Sequence, residues 1–369
     1  MWFAPLDRSL VRCRATAGVL LLFMLAAVGP APCVAQLPGA STRSVTWPLR
    51  TREHVDLWLH GFAMISGDTS PVPLFRRDYR EALLAARAKA SAVTDLDVNR
   101  DLLVKRMREN PALVNAQFLA FSFPTWEDLV AAIDAFAKAD GDPRLAKSRE
   151  IAAVFPLLAR TFPSKADRDF ARTLTNVLQN EKDVFFHAWW VEEMRRRERT
   201  LAAVDSTWHR VLHPRLQGFL NHSEQPSGEL ILSLALEGEG RTVSDARGHS
   251  QVAVGFPDSP EQAMDAMYAF THELVGPLAG PAVEDNTTPA EKRSGVATVI
   301  GSFALVRGGA LVMARLSPDL AAGYARFYLR VGGVAFDGDP MAAFARAFPI
   351  PRPMLEAIDR QVAICFGGI

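Results

Sequence analysis

From Glu53 to about Asn221 the apolar residues fall three and four apart with polar residues between them, the spacing of helices that bury one face. The pattern predicts helices at His54–Ile65, Arg77–Ser91, Leu96–Glu109, Trp126–Ala139, Lys147–Thr161 and Lys165–Gln179, with one or two longer ones between Asp183 and Asn221. Proline and glycine punctuate the run at Pro71-Val72-Pro73, Pro111, Pro124, Gly141-Asp142-Pro143 and Pro163. No pair of helices repeats at a fixed period, which argues against a solenoid.

After residue 222 the period changes. Gly228–Leu236 is a strand candidate, closed by the turn Glu237-Gly238-Glu239-Gly240; Gln251–Phe256 is a second, with a hairpin excursion between them. Only a few residues separate the second strand from the next helix, so we expect it at the edge of a sheet. Ser259-Pro260-Glu261-Gln262 then reads as a helix start, with a hydroxyl at the N-cap, proline at the first helical position and Gln262 able to reach back. Ala263, Met264, Met267, Phe270, Thr271 and Leu274 make the core face of that helix, and Asp265, Tyr268, His272 and Gly276 share another. Pro277 disfavours helical geometry at Gly276, so the helix should stop there and give way to a loop of small and acidic residues. Thr288-Pro289-Ala290-Glu291 opens a further capped helix running to about Arg315. Ser317-Pro318 and Asp339-Pro340 start two more, and Arg352–Ile364 is the last. The fold class is therefore α+β: a helix-rich N-terminal half, then a small sheet and C-terminal helices.

Composition narrows the function. The 41 basic and 41 acidic side chains cancel, which gives no reason to expect nucleic acid as a partner. Arg8, Arg12 and Arg14 precede the apolar run Ala17–Val28, and Cys33-Val34-Ala35 is a small-x-small cleavage pattern, so residues 1–35 read as an export signal. The apolar run is short for a membrane span, and we expect an exported protein, periplasmic or extracellular, without a span in the mature chain, retained membrane attachment being the lesser alternative. Residues 36–50 read as a leader, 51–221 as the helical region and 222–369 as the α+β region. Cys365 would be the only mature cysteine, so no intramolecular disulfide is expected, and its apolar neighbours place it in the core.

One stretch carries sharp chemistry. His272-Glu273-Leu274-Val275-Gly276 is the first half of H-E-x-x-H, in which two histidines one turn apart hold zinc and the glutamate polarises the metal-bound water. Two strands, the nearer ending just before a helix bearing HELVG, resemble the catalytic half of the zincin metallopeptidases, and the helical C-terminal part resembles their gluzincin branch. The resemblance covers roughly residues 228–330. It implies an edge strand that binds the peptide, His272 as the first zinc ligand, Glu273 as the general base, and a glutamate on a later helix as third ligand. Gly276 stands at the second ligand position and offers no donor. Glu284 and Glu291 are the carboxylates at a plausible distance, and Glu291 also completes a capping box with Thr288. The cofactor expected is zinc, weakly held or absent.

His209 and His213 are one turn apart, a metal-compatible spacing, although a helix end where imidazoles meet carbonyl groups explains them as well. His187 lies in an apolar stretch and reads as a hydrogen-bonded core residue; His54 and His60 are assigned no chemistry. No phosphate loop, dinucleotide fingerprint, nucleophile elbow or cysteine cluster is present. The sequence thus reads as an exported zincin-like protein with an eroded site, inactive or weakly active in peptide hydrolysis. The alternatives are an active metallopeptidase using Glu284 or the His209/His213 pair, and a non-enzymatic helical binding or scaffold protein. A peptide or protein segment is the expected partner, by addition to the strand.

Overall fold

The computed structural model describes residues 47–67, 70–244 and 248–367; the stretch 1–35 read as an export signal and nearly all of the expected leader lie outside them. The fold begins at Trp47, which is completely buried, and β1 (Leu49–Thr51) comes directly after it. The folded part therefore starts inside the stretch 36–50 read as a leader. Then come α1 (Glu53–Ile65), α2 (Tyr79–Lys89), α3 (Asp95–Glu109), a 3-10 run at Pro111–Ser122, α4 (Trp126–Lys138), α5 (Arg149–Thr161) and α6 (Lys165–Glu181). From α6 the chain stays helical as far as residue 222: a π turn at Lys182–Phe186, α7 (His187–Arg196), α8 (Glu198–Thr207), a second π turn at Trp208–Leu212 and α9 (His213–His222). Each expected helix in this half is present, its ends shifted by a few residues. The 3-10 run was not expected, because its apolar residues have no helical period.

Three strands complete the sheet: β2 (Ser227–Ser233), β3 (Arg241–Ser244) and β4 (His249–Gly255). The order is β1-β2-β4-β3, with β1, β2 and β4 parallel and β3 antiparallel to β4. Leu49 pairs with Leu230, Leu230 with Val252, and Val252 with Thr242 across the four strands. The expectation that the second strand lies at the edge is corrected: β4 is interior, and β3 folds back beside it to take the edge. Four residues of mixed polarity, Arg-Thr-Val-Ser, are too few to show a strand period. Because β1 pairs with β2, the helical region and the C-terminal region share one sheet and one core. β2 is buried at every residue after the first, as parallel strands covered on both faces are.

The remaining helices are α10 (Ala263–Leu274), α11 (Gly276–Asp285), α12 (Pro289–Ser294), α13 (Val296–Leu316), α14 (Pro318–Val331), α15 (Pro340–Ala347) and α16 (Arg352–Cys365). α10 and α13 depart from expectation. A 3-10 turn, Pro260–Gln262, opens α10, and the Ser259 side chain makes no cap hydrogen bond. The helix does stop before Gly276, but the chain enters α11 there rather than a loop, with Pro277 in its first turn where a missing N–H costs nothing. The long helix expected from Thr288 is broken at Gly295, whose φ of 80° is left-handed backbone that glycine adopts freely. Among the described residues α13 alone is long and apolar enough to cross a membrane, by length and composition only. Its second half is core: Ala304, Val306, Gly308, Gly309, Val312 and Met313 are buried.

Glycine lets these helices approach. The Tyr324 hydroxyl (α14) rests against Gly309 (α13) and the Tyr268 hydroxyl (α10) against Gly323 (α14), so that a Cβ at either glycine would overlap a phenol oxygen. These tyrosine-on-glycine contacts hold α10 in register with α13 and α14.

Candidate functional site

The last turn of α10 carries the site. Ala266, Met267, Phe270 and Leu274 bury one side of the helix, and the i+4 spacing from Tyr268 turns His272 toward α14. There the imidazole packs on the Tyr328 ring with centroids 5.5 Å apart, and only 1% of the side chain is exposed. Neither ring nitrogen has a hydrogen-bond partner within the described residues, and Glu273 Oε1 stands 3.8 Å from Nε2, too far for a hydrogen bond. Burial pushes the imidazole down to about 3, so it is neutral at ordinary pH. Leaving a buried polar group unsatisfied costs about 1–3 kcal/mol, a cost the surrounding core bears.

Glu273 points the other way, toward the edge strand. Its carboxylate accepts the Gly240 N–H at 3.2 Å and the Thr242 hydroxyl at 3.1 Å. Burial pushes its carboxyl up, opposed by the Arg241 charge and these two donors. The guanidinium of Arg241 lies 3.8 Å above the centre of the Phe118 ring. Gly240 has no room for a side chain: a Cβ would overlap the Ala253 carbonyl oxygen and stand 2.8 Å from Glu273 Cγ. The turn before β3 is fixed as well, since Gly238 and Glu239 donate to the Pro73 carbonyl at 3.1 and 3.0 Å and Tyr328 Oη donates to Gly238 O at 3.0 Å. The glycines of the EGEGR turn are there for this close approach to α10 and α14.

The other expected ligands lie apart from the pair. Glu284 lies near the end of α11 with a mostly exposed side chain in an ion pair with Lys292. Glu291 closes the capping box of α12, its Oε2 accepting the Thr288 N–H and hydroxyl, each at 2.7 Å. A Cβ at Gly276 would meet open space, nothing lying within 4 Å. His209 and His213 sit at the second π turn, where His213 packs on Trp208 at 5.0 Å and His209 lies 3.5 Å from Asp205. The expected helix end at Pro214 is not there, for α9 continues through it. His187 is exposed rather than in the core: Phe185 and Phe186 turn inward, and the imidazole bonds Glu53 Oε1 at 2.9 Å.

Zinc held by protein requires three or four ligands, and the donors here are one imidazole and a carboxylate already committed to β3. The residues do not fit a zincin centre, and among the described residues no group of three or more His, Cys, Asp or Glu gathers for any metal. Restoring a histidine at position 276 should therefore change little. We expect Gly276→His, alone or with Pro277→Ala, to bind zinc no better than the parent in calorimetric titration; a marked gain by the single variant would show that α11 presents this position to His272.

Sequence reasoning missed Thr242, Arg241 and Tyr328, for no motif marks them. It also missed two buried polar clusters, whose signal was a polar residue inside the apolar run of α1. His60 is completely buried between Tyr79 Oη at 3.2 Å and Glu181 Oε1 at 3.3 Å, while Arg87 and Thr94 also bind Glu181. Asp56, 1% exposed, accepts the Trp190 indole N–H at 2.8 Å and the Leu234 main-chain N–H at 3.1 Å. No family model, curated protein or solved structure matches the chain.

Proposed function

We propose that the chain is an exported, zincin-like protein that has given up hydrolysis and holds an extended peptide segment along the free edge of its sheet. The observation that carries this reading is the Glu273 carboxylate, bound to Gly240 and Thr242 of the edge strand instead of being presented to a water. A general base must reach the proton it removes, and a carboxylate with two protein donors in a closed cleft is poorly placed for that. The order of elements supports the lineage: an antiparallel edge strand, a parallel strand beside it, then the helix with the His-Glu pair. On the side of the sheet that carries the His-Glu helix, the edge suited to strand addition is that of β3, not β4, because β4 has strand neighbours on both sides and Glu273 is bound to β3.

Metal analysis of the purified mature protein should find far less than one zinc per chain, and hydrolysis of unfolded protein should stay at the level of His272→Ala. One tightly held zinc per chain, lost together with peptidase activity on His272→Ala, would overturn the proposal in favour of an active enzyme. For the binding half, short unstructured peptides should slow amide exchange at residues 241–244 more than elsewhere. Protection confined to other surfaces would remove β3 as the binding edge.

A further inference from the structure

α7 is attached unlike its neighbours. No residue of this helix is fully buried; Trp189, Trp190, Glu193 and Met194 are half-covered, and the other six are exposed. Before it lies the π turn Lys182–Phe186, and after it Arg197, whose φ of −97° and ψ of 9° break the helix from α8. Irregularities of this kind within helices are where bending concentrates. Between these two points Trp189, Trp190 and Met194 pack against the core, and polar contacts hold the helix in place. His187 bonds Glu53 at 2.9 Å, Trp190 bonds Asp56 at 2.8 Å, and Glu193 lies 3.4 Å from Arg197 Nε.

Asp56 is the centre of this attachment. It sits one turn into α1, just past the end of β1, and binds Leu234 just past the end of β2, with Ser233 also donating to it. α7 thus closes over the carboxyl ends of two parallel strands, the place where open α/β sheets keep their working clefts. We propose that α7 is a hinged lid over this end of the sheet, latched by the buried Asp56 carboxyl through Trp190, and that ionisation of Asp56 loosens the latch.

A carboxylate buried with few compensating charges gains by meeting water, and opening the lid is what admits it. Burial pushes Asp56 up to about 6, against the pull of its hydrogen bonds and of Arg197. The charged and titratable groups around it are Arg197 at the α7–α8 break, Tyr79 of α2, and Glu193 of α7, whose charge also acts on Tyr79; on α1 itself Glu53 is engaged by His187. The closed form holds the proton more tightly than the open one, whose carboxyl returns towards 3.8. Raising the pH therefore favours opening, by about tenfold between pH 5 and pH 7, with a plateau above.

The test is amide hydrogen exchange of the full mature chain across residues 187–196, corrected for chemical exchange. Protection should fall about tenfold from pH 5 to pH 7 in the parent and stay level in Asp56→Asn, while β2 and α10 change in neither. Trp190→Phe keeps a ring and loses the N–H, so it should lower protection of α7 at both pH values and serves if Asp56→Asn fails to fold. His187→Gln should keep the parent's pH dependence. The proposal is overturned if α7 protection is independent of pH in the parent, if Trp190→Phe protects α7 as the parent does, or if the pH dependence disappears with His187 rather than with Asp56.

Discussion

Gly240→Ala should be among the most damaging single-methyl changes in the chain, lowering stability by about 3 kcal/mol, the upper part of the range for overpacking a well-filled site. Neither neighbour can yield cheaply. The Ala253 carbonyl belongs to β4, paired on both sides, and Glu273 Cγ is fixed by the bonds its carboxylate makes to the same turn. For a chain of this size the loss corresponds to roughly 4–5 °C in thermal midpoint. Gly276→Ala is the matched control: its Cβ enters open space and its φ is not positive, so it should be neutral or gain up to about 1 kcal/mol. Calorimetry on the two variants decides the matter. A Gly240→Ala protein with the parent's midpoint would mean that β3 is not seated on Glu273, and the proposed function would lose its main support.

The second large effect is expected from His272 at acid pH. Its folded-state value of about 3 lies well below its ordinary 6.5, so between those values the unfolded chain binds a proton that the folded chain does not. The stability contributed by neutral, buried His272 is complete above pH 6.5 and is lost as pH falls through the window, at up to about 1.4 kcal/mol per pH unit. Asp56 acts in the opposite sense: raised to about 6, it favours the folded state as pH falls from 6 towards 3.8. In the parent the two slopes offset each other over much of that range, and a single acid-denaturation curve would hide both. A difference experiment separates them. His272→Phe removes the imidazole and its two unsatisfied nitrogens while keeping a ring against Tyr328. Its stability relative to the parent should rise by about 3 kcal/mol between pH 7 and pH 4, measured by urea denaturation at each pH. If the difference between the two proteins does not vary with pH, the imidazole is not a sealed, neutral group, and the site is open to water or to a ligand.

The sequence by itself determined what local pattern controls. Helical spacing located α1 to α6 within a few residues, and the pairs Ser317-Pro318 and Asp339-Pro340 located α14 and α15, because caps and N-terminal proline act within one turn. It also determined the His-Glu pair on the final turn of α10 and the capping role of Glu291, both matters of three- and four-residue spacing. What only the tertiary structure decided was everything set by residues far apart in the chain. β4 became an interior strand because β3, too short to read, folds back beside it. Trp47 joined the core through an edge-to-face contact with Phe270, more than two hundred residues on. Glu273 was committed to Gly240 and Thr242, and Asp56 to Trp190 and Leu234, by approaches between elements that no local period records. A motif places a side chain on a helix face, but the partner that face meets, and so the chemistry left to the side chain, depends on how the helices pack.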